Sequence, residues 1–498
     1  MRVDPLTSAN RCFVVTTEEA VGYSSVPPFH PHETYPECPF DERAHVRNPA
    51  YAMVRGLLSR MGLDARNYGS AAWNPLGGLI RSGQTVVLKP NLVSHINYAY
   101  RIGIPDTDPL VTHGSVIRAV ADYVAIALEG HGRIIVGDCP IQATEWQAVA
   151  HLVGLDAIAN LYRDTGISFE TRDFRLVRAE MRRGRIRAQI AQNLIEDYEE
   201  IDLAANSLLM PIIGDWRRFA VSNYDFGRMR RVHNEQRNAY LVPRVVLDAD
   251  CFINLPKLKF HVKAGITCAL KNMVGIIGHK DYLPHFRMGA PGPHSDEYPL
   301  KNPFERVYWG LHHLLWQRHG GVSRAILAQL VRGFGVAIPR NLKWQGAGGW
   351  YGNDTLWRTV LDINRAFLYY DPTTRSFSER PCRNYLALVD GLIGGEREGP
   401  LAPHPRQANC MMGGLNPAAV DAVAATYMGL DHALIPTTLH AFDRMAYPLT
   451  DFGPDDIEVL VNDRTFAFRD FVQRGPCVPF TPSDGWRGHV ERTLTRDA

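Results

Sequence analysis

The stretch from Cys251 to His285 reads CFINLPKLKFHVKAGITCALKNMVGIIGHKDYLPH. Its opening, Cys251-Phe252-Ile253-Asn254-Leu255, follows the apolar Val245-Val246-Leu247 and is cut off by Pro256, the pattern of a buried strand. Lys257, Lys259, His261 and Lys263 then alternate, so an extended chain carries them on one face. Ala269 to Ile277 has the composition of a short helix bearing Lys271 and Asn272. Gly265, Gly275 and Gly278 suit a backbone that a ligand approaches closely. Five lysines and three histidines stand here against one acid, Asp281. Like charges this close repel, and burying them unpaired costs several kcal/mol. Carboxylates from elsewhere in the chain, or a bound anion, are expected to balance them. The competing reading is a solvated basic strand edge, where alternating lysines block unwanted pairing.

Three further apolar runs end in polar residues. Thr85-Val86-Val87-Leu88 leads to Lys89-Pro90-Asn91, Arg133-Ile134-Ile135-Val136 to Gly137-Asp138, and Leu386-Ala387-Leu388-Val389 to Asp390. Between the first two, Val116, Val120, Val124 and Ala127 recur at helical spacing. A strand–helix–strand unit of that kind implies parallel strands joined by a right-handed crossover. The expectation is an α/β fold, a mostly parallel sheet with flanking helices and large insertions. Its carboxyl strand ends would lie along one edge, where open α/β sheets bind ligands.

Residues 1–80 read as an irregular, Pro-rich wrap containing one helix from Asn48 to Met61, with Pro49 at its first position. The α/β core spans about 80–430, with insertions at about 141–244 and 286–380, and 431–498 form an extension. Arg182-Arg183-Gly184-Arg185 marks a hairpin turn. In the second insertion Trp309, Leu311, Leu314, Leu315 and Ile326, Leu327, Leu330 suggest core packing. Gly394 to Pro400 reads as a sharp turn after Asp390.

Over 498 residues the apolar share is 45%, the charged share 21% and the net charge +2, so an ordinary globular protein is expected. That balance argues against nucleic acid as a partner. The eight cysteines are dispersed without a C-x-x-C pair, which favours a reduced, cytoplasmic setting and no iron–sulfur cluster. No leader peptide and no 18-residue apolar membrane span are read.

On these residues the chain resembles the domain-of-unknown-function 362 (DUF362) family. The matching phrases are Leu88-Lys89-Pro90-Asn91-Leu92, Gly137-Asp138-Cys139-Pro140, Ile253 to Lys259 with His261, Ala269 to Gly275, Val389-Asp390-Gly391, and Gly399-Pro400 with Val420-Asp421. They occur in the family's order and frame roughly residues 80–430. The resemblance brings no agreed reaction. Many relatives look to carry an appended ferredoxin-like segment, which the dispersed cysteines do not reproduce. The segment from Trp350 to Asn364 resembles a branch found with bacterial surface-polysaccharide genes. A fainter likeness to lactate racemase-like proteins, on His261, Lys271 and His279, lacks that family's glycine-rich lysine loop.

The functional expectation is an enzyme for a small anionic substrate, phosphorylated or carboxylated and sugar-derived. Lys89, Asn91, Lys257, Lys259, Lys271 and Asn272 would bind it, and Asp138, Asp390 and His261 would do acid–base work. A divalent metal held by His261, His279, His285, Asp138 and Asp390 is a further reading, without a local ligand motif to support it. The alternative class is a non-catalytic protein that binds an anionic polymer or partner in an open basic groove. The oligomeric state is left open.

Overall fold

Cys251–Leu255 lies between two parallel neighbours, and its five residues are all buried. The structure is a computed structural model that describes residues 6–100, 106–182, 185–221, 225–316 and 322–493. Among the described residues eleven strands make the main sheet. In chain order the first four are Arg11–Thr16 (β1), Thr85–Pro90 (β2), Gly132–Asp138 (β3) and Ile167–Asp173 (β4). Cys251–Leu255 (β5), Lys257–His261 (β6) and Gly265–Thr267 (β7) come from the central stretch. Asn384–Glu398 (β8), Ala402–Gly414 (β9), Glu458–Val461 (β10) and Arg464–Ala467 (β11) complete it. The spatial order is β11-β10-β1-β9-β8-β5-β2-β3-β4, with β6 paired to β7 and β8. From β8 to β4 every pairing along that path is parallel, while β9 runs antiparallel to both β8 and β1. The fold is therefore α/β with a mostly parallel sheet, and Lys89 sits level with Asn254 at the carboxyl end.

Helices cover both faces. Pro49–Arg60 (α1) and Gly114–Leu128 (α2) pack on one side with Val86, Leu88, Ile134, Ile253 and Leu386. Leu356–Tyr369 (α3) and Pro417–Tyr427 (α4) pack on the other with Val87, Ile135, Phe252 and Ala387. Successive residues of each strand thus serve opposite cores, and the strands read as unbroken apolar runs.

Three local expectations differ from the structure. Residues 1–80 are not an irregular wrap throughout: they contain β1 inside the sheet, with Cys12 to Val15 buried. Their short apolar run is masked in sequence by the Pro-rich residues that follow. The third polar-ended strand does not stop at Asp390, since β8 continues to Glu398. Its glycines mark close approach within an extended chain: a Cβ on Gly395 would lie 2.5 Å from the Pro109 carbonyl oxygen, and one on Gly394 2.5 Å from Phe480 Cζ. The turn comes at Gly399-Pro400-Leu401 instead. Leu314, Ile326 and Leu330 are exposed rather than core. The strands Val177–Arg182 and Arg185–Ala191 form the expected basic hairpin, while Arg183 and Gly184 lie outside the described residues.

Candidate functional site

At the carboxyl edge of β2 and β3 a cavity of about 450 Å³ opens, a volume ordinary for a small-molecule site. Lys89 and Asn91 reach it from β2 and the residue after its end, Asp138 and Cys139 from the end of β3, and His261 and Lys263 from the end of β6 and beyond. Thr267, Lys271, Asn272, Gly275, Lys280 and His285 follow from the rest of the central stretch, and Gln142 and Lys343 from the insertions. Val93, Ile141, Val221, Val274 and Leu283 supply apolar wall.

The floor is a closed network. Lys89 Nζ donates to Asp138 Oδ1 at 2.7 Å, Asn272 Oδ1 at 2.9 Å and the Pro90 carbonyl at 2.9 Å. Its three protons are spent, and burial pulls its amine below the usual lysine range while Asp138 opposes the fall. Asp138 also accepts from the N–H of Leu92 at 2.6 Å and of Cys139 at 2.8 Å. Asn272 is held in turn by Asn254 Oδ1 at 2.7 Å and by Asn91 Nδ2 at 2.9 Å. The helical turn carrying Lys271 and Asn272 is set by Asp421 of α4, whose carboxylate accepts from the N–H of Ala269 at 2.7 Å and Leu270 at 3.1 Å. Burial raises that carboxyl to about 7.

Above this floor several groups lack partners. The Lys271 amine has no hydrogen-bond acceptor among the described residues. Burial, then Lys280, Lys263 and Lys89, push it down to about 7. Burial likewise lowers Lys263 to about 8 against the pull of Glu297. Lys280 Nζ donates to the Cys139 carbonyl at 2.6 Å. Both cavity imidazoles lie well below the usual histidine range through burial and the neighbouring lysines, so they are neutral at pH 7. Their tautomers follow from their partners. His261 Nδ1 accepts the Lys263 N–H at 3.0 Å, which leaves its proton on Nε2. His285 Nδ1 donates to the Leu283 carbonyl at 2.8 Å, which leaves Nε2 a bare acceptor. The site thus holds one neutral imidazole donor and one neutral imidazole base. Thr267 Oγ1 and both amide atoms of Gln142 are buried without a partner among the described residues, and buried polar atoms of that kind call for one.

Not every residue singled out in the sequence reaches the cavity. Lys89, Asn91, Asp138, His261, Lys271 and Asn272 line it; Lys257, Lys259 and Asp390 do not. Lys257 Nζ pairs with Asp390 Oδ2 at 2.9 Å in the fully buried interior. Lys259 Nζ donates to Asn91 Oδ1 at 2.7 Å and to the Leu110 carbonyl at 2.6 Å, so it fixes Asn91 from behind. Among the described residues no three His, Cys, Asp or Glu side chains are grouped as metal ligands. Of that set, His279 and Asp390 stand off the cavity. Lys263, Lys280 and His285 belong to the quoted stretch and share its density of cations, the signal that could have included them. Gln142 and Lys343 carry no local signal, because only the fold brings the insertions here.

Gly275 gives a direct test of the floor's packing. A Cβ there would lie 2.1 Å from Asp138 Oδ1 and 2.4 Å from Lys89 Nζ. Gly275→Ala is expected to cost about 1–3 kcal/mol through displacement of that pair, read as a lower urea midpoint. A midpoint equal to the parent's would show that the pair moves aside freely.

The family model described as "Domain of unknown function (DUF362)" matches residues 86–202 and 217–426. No curated protein matches the sequence. A crystal structure of a Thermotoga maritima protein is similar at 11% identity and a TM-score of 0.34, over 75% of this chain. This chain spans 58% of that one.

Proposed function

The chain belongs to the DUF362 family, and we propose, from the geometry of the site, that it is an enzyme acting by proton transfer on a small anionic compound. One imbalance carries the reading. Five lysines and two imidazoles line the cavity with a single carboxylate, Asp138, and Lys89 with two backbone N–H groups already saturates that carboxylate. A phosphate or carboxylate supplies the missing charge. The partnerless Thr267 hydroxyl and Gln142 amide suit the hydroxyl groups of a sugar-derived substrate. In this reading Lys271, Lys263 and Lys280 hold the anionic group, and Asn91 and Asn272 orient it. His285 Nε2 takes the proton, and His261 Nε2–H donates to the oxygen on which charge develops. Asp138 serves as the counter-charge that keeps Lys89 in place.

The test is a thermal-shift series with inorganic phosphate, a hexose phosphate, a hexuronate and the uncharged hexose. The anions are expected to raise the unfolding midpoint and the neutral sugar to leave it unchanged. Binding takes up protons on Lys271 and Lys263, so affinity is expected to fall as the pH rises through about 7 and about 8. His285→Gln should keep the anion shift. Equal shifts from neutral and charged sugars would sink the reading. Stabilisation by a polyanion such as heparin, with none from the small anions, would move it to a non-catalytic polymer-binding protein.

A further inference from the structure

We propose that the helix pair Phe304–Trp316 and Val322–Ala337 docks the protein on an anionic lipid bilayer, lying in the interface rather than crossing it. The proposal stands on this surface alone and not on the reaction proposed above. Each helix has two apolar faces. One turns inward, where Tyr308, Trp309 and Val331 form a small core of their own with Tyr298, Ile338 and Leu342. The other faces water. On the first helix Phe304, Val307 and Leu314 are exposed; on the second Val322, Ile326 and Leu330 are 77%, 56% and 43% exposed. Residues spaced four apart lie on one stripe of a helix. Neighbouring apolar stripes left in water mark an interaction surface.

Charge decides what covers it. Residues 301–345 hold seven lysines and arginines against one acid, Glu305, on a chain whose net charge is +2. Glu305 is buried and takes the Lys301 N–H at 3.0 Å, while Lys301, Arg306 and Arg332 are exposed. A second copy of this chain would bring like charges together. An acidic bilayer offers phosphate to the basic side chains and acyl chains to the stripes. Among the described residues no helix is long and apolar enough to cross a membrane, which fits a pair that lies flat. The same segment continues into Lys343, Gly346 and Ala347, which wall the cavity.

The full chain is to be sedimented with vesicles of phosphatidylcholine alone and of phosphatidylcholine mixed with phosphatidylglycerol. Partition into the acidic vesicles only is expected. The Arg306→Gln/Arg332→Gln double variant should lower it about thirtyfold, the loss expected of two basic side chains at such a surface. Ile326→Asp, an exposed substitution, should abolish partition with the unfolding midpoint unchanged. Three results would each overturn the proposal: no partition into either vesicle, equal partition into both, or a solution dimer that Ile326→Asp converts to monomer.

Discussion

Asp390→Ala is expected to destabilise the protein by about 3–5 kcal/mol, although Asp390 lies away from the cavity. Its carboxylate and the Lys257 amine are both fully buried, 2.9 Å apart. The same carboxylate accepts from the Tyr23 hydroxyl and, at 2.9 Å, from the His113 N–H. Removing the carboxylate takes the ion-pair partner from a fully buried cation and strands two further donors. The Lys257→Met/Asp390→Asn double variant removes the cation and keeps an oxygen for one donor. It is therefore expected to return within about 1–3 kcal/mol of the parent. Urea unfolding of the parent, the single and the double variant checks both steps. A single variant as stable as the parent would mean that water or a rearranged side chain satisfies Lys257. A double variant that is stable yet inactive would return Asp390 to the catalytic machinery proposed from sequence.

The parallel frame was legible because β5, β2 and β3 are buried on both faces, and burial of that kind writes itself as an apolar run. The polar residue at the end of such a run is then a pointer to the ligand edge, as Lys89 and Asp138 show. The lysines of β6 were harder. Lys257 and Lys259 alternate with apolar residues as on a solvated edge, yet both amines turn into the protein, one to Asp390 and the other to Asn91 and the Leu110 carbonyl. Spacing tells which side chains share a face of a strand; what stands opposite that face is set by residues more than a hundred positions away. The same limit hid β8, whose glycines mimic a turn because the chains they accommodate, at Pro109 and Phe480, are distant in sequence. It also hid the outward face of Val322–Ala337. Helical periodicity of Ile326 and Leu330 states that an apolar stripe exists, and only the fold reveals that this protein leaves it uncovered.

Lys271→Met is expected to do two things that rarely go together: weaken anion binding about a hundredfold and stabilise the free protein. The reason is the position of the amine. In the unfolded chain a lysine keeps its proton to about pH 10.4, whereas burial beside Lys280, Lys263 and Lys89 brings Lys271 down to about 7. Between those values unfolding takes up a proton, so the parent's stability rises with pH across that window. Below it, the full cost of a buried, unpaired cation remains. Methionine fills the same space without the charge, so at pH 6 the variant should exceed the parent by about 2–5 kcal/mol. That advantage should shrink as the pH approaches 10. Urea midpoints at several pH values read the stability, and phosphate titration by calorimetry reads the binding. If Lys271 were an ordinary structural lysine, its removal would lower stability at every pH and leave the phosphate affinity alone. If the anion were held elsewhere, the variant would gain stability and still bind. Gained stability together with lost binding is the signature of a cation kept in an unfavourable place because a ligand completes it there.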